Sequence, residues 1–303
     1  MIVTVTLNPA LQVDYEAGRI AVGTANPVRR VRYRTGGRGL AVARVLQTFG
    51  HDVVAAGLAG GSAGEFIRNE LARAGVATEF TRISAESRRV VAITDSATGT
   101  VTSFAEPAPY ITTEELGRLA TDYRALLAGA TAIVLCGSLP DGLPPEIYGS
   151  FASYAAGAGV PVILDAAGAA LLHGAARGPE LVIPEAAGQD PAEPSASAPA
   201  ADSLSGAGAV AELTSDGAEV RTDGVAWRAS LPSGHDTDDG QITEGRRDAL
   251  VAGFVPGVAL DWSWPDTLRH AVALGAAWDP HGLLDIQAYE TALAEVHVEQ
   301  LPR

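Results

Sequence analysis

The first thirty-five residues set the pattern for the chain. IVTVTL at 2–7 is a run of apolar and β-branched residues ending at Asn8-Pro9, which predicts a buried strand. Residues 11–35 alternate polar and apolar positions around turn residues and predict short strands, most clearly over 28–34. Gly36-Gly37-Arg38-Gly39 then opens into LAVARVLQTFG, an apolar-periodic helix closed by Gly50. HDVVAAGLAG at 51–60 predicts a strand, and GSAGEFIRNELARAG at 61–75 a second helix closed by glycine. Strands and helices alternating at this spacing predict a parallel sheet covered by helices.

The period changes again downstream. Residues 88–104 read as a hairpin turning at Ala97-Thr98-Gly99, followed by a helix at about 112–129. TAIVLCGSLPDGLP, VPVILDAAG and PELVIPEAAG are strand-to-loop junctions with a helix between the first two. Their polar ends, Ser138, Asp165 and Glu185, lie where an open α/β sheet binds ligands. Residues 186–209 are rich in Ala, Ser and Pro without apolar periodicity and predict a flexible surface segment. A strand meander resumes over 209–232, and from Asp248 the pattern is helical to about Ala277. No internal repeat is visible.

Composition narrows the function classes. A chain of 303 residues that is 47% hydrophobic builds one large α/β domain or two modest ones. No apolar run approaches the ~20 residues of a membrane span. The opening MIVTVTLNPA lacks a basic leader, so a signal peptide is not expected. The single cysteine, Cys136, rules out an intrachain disulfide and fits a reducing cytoplasm; it reads as a small buried residue rather than a nucleophile. All basic residues are arginine, which removes Schiff-base and Walker-type lysine chemistry. Residues 1–110 hold 12 Arg against 9 Asp/Glu, whereas residues 111–303 hold 9 Arg against 27 Asp/Glu. The first third therefore suits a small anionic ligand, and the remainder repels nucleic acid and anionic membrane. The six histidines have no metal spacing, and His235-Asp236-Thr237-Asp238-Asp239 reads as a solvated loop. No metal site is expected.

TEGRRDALVAGF at 243–254 concentrates the candidate chemistry. A helix start offers free amides to an anion, and Asp248 is placed to take a proton from an attacking hydroxyl. Arg246 and Arg247 stand where glycine would let backbone approach a phosphate.

In order along the chain, VTLNPAL (5–11), GGRGLAVARVL (36–46), GHDVVAAGLAGG (50–61), CGSLPDGLP (136–144), VPVILDAAG (160–168) and DALVAGF (248–254) resemble the PfkB branch of the ribokinase-like kinases. Within it they are most similar to 1-phosphofructokinases and tagatose-6-phosphate kinases. The resemblance implies a single ribokinase-like domain over 1–303: a doubly wound, mostly parallel sheet flanked by helices. A small β-sheet lid would come from about 11–35 and 88–107, and in the family it often dimerises. It further implies transfer of the ATP γ-phosphoryl group to a sugar-phosphate hydroxyl, with Mg²⁺.

The chain departs from that pattern on both sides of the implied site. For the sugar, Gln12 replaces the family aspartate, with Asp14 on the same strand face as a partial replacement. Gly36, Gly37 and Arg38 keep the glycines and a phosphate-gripping cation, but Ala41 loses an asparagine. Arg88, Glu106 and Ser138 are retained; Val90 and Ala105 replace asparagines. For the nucleotide, Ile183-Pro184-Glu185 replaces the family lysine and asparagine, and Glu212, Thr214 and Gly217 stand in a degraded S-x-G-x-x-G stretch. Trp278 can fill the adenine pocket, and reads equally as a core tryptophan. The catalytic GAGD becomes Gly245-Arg246-Arg247-Asp248. The resemblance thus implies a pseudokinase with Asp248 as a vestigial base and a residual site for a phosphorylated sugar or other anion. The alternative it leaves open is an active ATP-dependent kinase of fructose-1-phosphate or tagatose-6-phosphate, in which Asp248 is the base, Arg38 and Arg88 hold the substrate phosphate, and Gln12 or Asp14 orients the sugar. A transferase using the same cleft differently is a third class.

Overall fold

The computed structural model describes residues 1–185, 204, 206–222, 224–232, 242–278 and 285–302. Most of the segment expected to be flexible, and the loop at 235–239, lie outside them.

The apolar run of β1 (Ile2–Thr6) is buried along its whole length in the interior of a ten-stranded sheet. On one side it pairs in parallel with β4 (Val53–Gly60), which pairs with β5 (Ala77–Ile83). On the other side it pairs in parallel with β8 (Ala132–Cys136), followed by β9 (Val162–Ala166), β10 (Leu181–Pro184) and β11 (Ala209–Leu213). The meander β12 (Gly217–Thr222), β13 (Val225–Ser230) and β14 (His297–Leu301) continues that edge antiparallel. The chain winds outward through β4 and β5, then returns to the far side of β1 at β8. The winding reverses between β1 and β8, so ligands belong at the carboxyl ends of these strands.

Alternate residues of β1 feed different cores. Ile2 faces α1 (Arg38–Thr48), α2 (Gly61–Arg73), α6 (Glu244–Ala259) and α7 (Trp264–Ala276); Val3 and Val5 face α3 (Thr113–Leu127), α4 (Ile147–Gly157) and α5 (Gly168–Ala175). A final helix, α8 (Ile286–Glu295), packs on α7 through Tyr289, whose hydroxyl lies 2.7 Å from His270 Nδ1. Gly39 is required where α1 crosses β1, because a Cβ there would sit 2.4 Å from Thr6 Oγ1.

The helix expected from Asp248 to Ala277 is two helices. α6 begins four residues earlier, at Glu244, because Thr243 caps it and accepts from the Arg246 amide at 3.4 Å. Arginines at 246 and 247 also favour helix more than glycines would. α6 stops at Asp261, the one described non-glycine residue with positive φ (53°), and Trp262 N–H closes the end onto Gly257 C=O at 2.9 Å. Ser263 then caps α7.

A separate four-stranded sheet has the order β3 (Val28–Gly36), β2 (Ala10–Ala17), β6 (Arg88–Asp95), β7 (Val101–Ala105). These are the regions expected for the lid. Its register puts Gln12 beside Arg34 and Asp14 beside Arg32 on one face. Val13, Tyr15, Val31, Tyr33, Val91, Ile93 and Phe104 share the other face. Val31, Tyr33 and Phe104 on that face are exposed to solvent.

Candidate functional site

The carboxyl ends of β1, β8, β9 and β10 converge on the N-terminus of α6. Gly37, with φ 126°, turns the chain from the lid into α1 so that Arg38 opens the helix facing these strand ends. Asp165, fully buried on β9, is the hub. The Arg247 guanidinium hydrogen-bonds Asp165 Oδ1, and Arg38 NH1 lies 3.6 Å from the same oxygen. The other Arg38 nitrogen hydrogen-bonds Glu185, buried just past β10. Two guanidiniums and two carboxylates thus form a charge-balanced cluster, buried except at Arg38, whose side chain is 17% exposed. Asp165 Oδ2, Arg38 NH1 and Arg247 Nε keep no hydrogen-bond partner within the protein.

Asp248 borders this cluster from near the start of α6, with a residue exposure of 8%. Burial is the largest influence on its carboxyl and pushes it well above the ordinary range; Arg38 pulls it down and Asp165 pushes it up further. Cys136, at the end of β8, is also fully buried, and burial together with the Asp165 charge raises its thiol well above the usual value. It fits the bland reading of its sequence.

The remaining predicted residues divide into three groups. Gly245, Arg246, Arg247 and Asp248 all lie at the N-terminal end of α6, and all three side chains after Gly245 are buried. The face of Gly245 is covered by Trp278: a Cβ built there would lie 2.3 Å from the indole. On the sugar side, Gln12 Nε2 donates to Asp14 Oδ1 at 3.3 Å, as their shared face requires, but Arg34 Nε holds the other Asp14 oxygen at 2.7 Å. Asn8 Nδ2 donates to Ser138 Oγ at 3.1 Å, tying the ends of β1 and β8 together. Arg88 is buried at the start of β6, opposite Ala10, while Glu106 accepts from the Arg89 amide at 2.8 Å. Gly36 pairs with Ala10 at the end of β3.

The third group does not join the cluster. Glu212, on β11, is paired across the ladder with Glu219. Thr214 and Gly217 form the β11–β12 turn, whose contacts are internal. Thr214 Oγ1 donates to Asp216 at 2.7 Å and accepts from Gly217 N at 3.1 Å, and Arg228 holds Asp216 at 2.8 Å.

Sequence reasoning ranked Asp165 only as one strand-end candidate and did not single out Asn8. The signal for Asp165 was present: a lone carboxylate ending an apolar strand run. Its partners come from residues 127 positions before and 82 after, a separation no local pattern reveals.

Magnesium-bound nucleotide phosphates do not fit these groups as they stand. Asp165 and Glu185 are already engaged by guanidiniums, and the indole of Trp278 covers the start of α6. Among the described residues no three His, Cys, Asp or Glu side chains converge as metal ligands, and no helix is long and apolar enough to cross a membrane.

Comparison with known proteins places the chain. The sequence model of the pfkB family carbohydrate kinases matches residues 9–190. Phosphofructokinase-2 from Escherichia coli in complex with fructose-6-phosphate is 25% identical, covering 97% of this chain and 98% of its own, with a TM-score of 0.81. A tetrameric inhibited form of that enzyme gives the same identity, coverage and TM-score. A possible 1-phosphofructokinase from Thermotoga maritima matches in fold, at 22% identity, full coverage of both chains and a TM-score of 0.80. These likenesses establish the ribokinase-like fold.

Proposed function

Because this chain belongs to the pfkB family of carbohydrate kinases, we propose that it is a 1-phosphofructokinase-like homologue in which ATP phosphotransfer is lost or much reduced. What remains is a phosphosugar or other anion site in a binding or regulatory role. One observation carries this reading: Arg247 on Asp165 and Arg38 on Glu185 fill the space in front of α6 with the protein's own ion pairs. Phosphoryl transfer depends on donors preorganised around the transferring group, and each lost donor costs on the order of 10²–10³ in rate. Here the Arg246 amide is used by the helix cap, and the arginines are used by carboxylates. Arg88 on the lid is the residue left to meet the anionic group, with Gln12 and Asp14 on the lid and Ser138 after β8 left to meet sugar hydroxyls.

The alternative is an active kinase of fructose-1-phosphate or tagatose-6-phosphate. It draws on Asp248 lying at the helix start beside the strand ends. A thermal shift with millimolar Mg-ATP separates the two. No shift is expected; a clear shift with micromolar affinity overturns the proposal. ADP release with either sugar phosphate, compared between wild type and Asp248→Asn, gives indistinguishable background rates if the proposal holds. Turnover that depends on Asp248 refutes it.

We read residues 1–303 as one domain with its lid at 11–35 and 88–107, and the apolar lid face as a homodimer surface. The exposed Val31, Tyr33 and Phe104 support that reading. Tyr33→Glu should shift sedimentation toward monomer, and an unchanged profile removes the lid as the interface.

A further inference from the structure

A second concavity lies at the opposite end of the sheet from Asp165 and Glu185. It has a volume of about 330 Å³ and opens between the starts of β9 and β10 and the junction of α6 with α7. Pro161 and Glu180 border it just before those strands; Asp261, Trp262 and Trp264 border it at the junction. Pro161 is about 13 Å along β9 from Asp165 at the strand rise, so this groove is separate from the kinase cleft. Its size falls at the small end of ligand pockets, ~300–1,000 Å³.

The charged side chains that line the groove are all of one sign. Glu180 and Asp261 contribute carboxylates, and none of the described residues lining it is arginine or histidine. The last turn of α6 (257–259) also lines it, bringing the negative end of a sixteen-residue helix. Asp261 occupies the position after a helix where glycine is the usual residue and where a cation suits the dipole. Instead a carboxylate adds to the helix's own negative potential. The positive end of α7 is offset at the source, since Ser263 and Asp266 cap it.

The groove also has aromatic walls. Trp262, 40% exposed, is braced edge-on by His270 at 5.6 Å. Burial and the neighbouring His51 lower His270 to about 4, so no cation competes behind the ring at neutral pH. Trp264 adds the second indole. Tryptophan faces attract cations electrostatically, most strongly when the cation sheds water easily.

We propose that the groove between Glu180, Asp261, Trp262 and Trp264 binds a small organic ammonium ion with apolar substituents. The carboxylates and helix end supply the field, and the indoles supply contact for the alkyl groups, which a hydrated metal ion cannot use.

Calorimetric titration of the full chain with choline at low ionic strength tests this, with the neutral isostere 3,3-dimethylbutan-1-ol as control. Saturable binding of choline alone is expected. Trp262→Ala should weaken it about tenfold, Glu180→Gln about threefold to fivefold, and Trp262→Phe by less than either. Absence of saturable heat with choline, equal binding of the neutral isostere, or unaltered binding by Trp262→Ala overturns the proposal. Should Trp262→Ala not fold, the indole N–H resonances of the wild type provide the test. Choline should move those of Trp262 and Trp264 and leave Trp227 and Trp278 in place; shifts confined to Trp227 or Trp278 overturn the assignment.

Discussion

Arg247→Met isolates the buried ion pair on which the proposed loss of phosphotransfer rests. The substitution keeps most of the apolar stem and removes the guanidinium, leaving Asp165 with no exposed surface and its strongest partner gone. Breaking one side of a buried ion pair costs about 3–5 kcal/mol. Arg38 NH1 stays 3.6 Å from Asp165 Oδ1 and tempers the loss, so the lower end applies, about 3 kcal/mol. In a chain of this size about 2 °C is lost per kcal/mol, giving a fall in Tm of about 6 °C. Adding Asp165→Asn removes the stranded charge, so the double variant should recover about 2 kcal/mol relative to the sum of the singles. Urea denaturation followed by circular dichroism measures all three. An Arg247→Met protein within about 0.5 kcal/mol of wild type, or strictly additive singles, would refute a buried ion pair between Arg247 and Asp165.

Gly245→Ala sets two effects against each other. A helical Gly→Ala change should stabilise by about 1 kcal/mol, but here the new Cβ would meet the Trp278 indole at 2.3 Å, and overpacking costs about 1–3 kcal/mol. Net destabilisation with altered tryptophan fluorescence is expected, turning to stabilisation in a Trp278→Ala background. Gly57→Ala should prevent folding or cost more than about 4 kcal/mol, since φ is 137° and the Cβ would lie 1.9 Å from the Thr6 carbonyl oxygen. Gly99→Ala, at φ 75° with open space around it, should cost only about 1 kcal/mol; equal losses at both glycines would contradict this, as read from denaturation midpoints. Burial pushes the Glu115 carboxyl up, but donors from Thr112 and Ser84 outweigh it and bring it from 4.5 to about 2. Its stabilisation is therefore complete above the unfolded value near 4.5 and lost as pH falls toward 2. Glu115→Gln should flatten the stability profile between those pH values.

How much of this was legible in sequence depends on the range of the interaction concerned. The β1, β4 and β8 runs, the helices closed by Gly50 and Gly75, and the lid hairpins rest on local periodicity and turn chemistry, and each appears where expected. The break between α6 and α7 did not show, because Asp261 adopts a left-handed conformation that glycine usually marks. β14 was likewise hidden: HVEQL is mostly polar, and it becomes a strand by pairing with β13 across some seventy residues.

The same division runs through the site. From its residue types alone the chain declared no lysine, two arginines before Asp248, and carboxylates at strand ends. These are properties of composition and spacing. Which charges meet was decided only by the winding of the sheet: β1, β8, β9 and β10 bring Arg38, Asp165, Glu185 and Arg247 together from four separate stretches. Arg38 read in sequence as a cation ready for a phosphate; in the fold it hydrogen-bonds Glu185. The physical reason is that an ion pair depends on distance and dielectric, and the sequence specifies neither until the layers have packed.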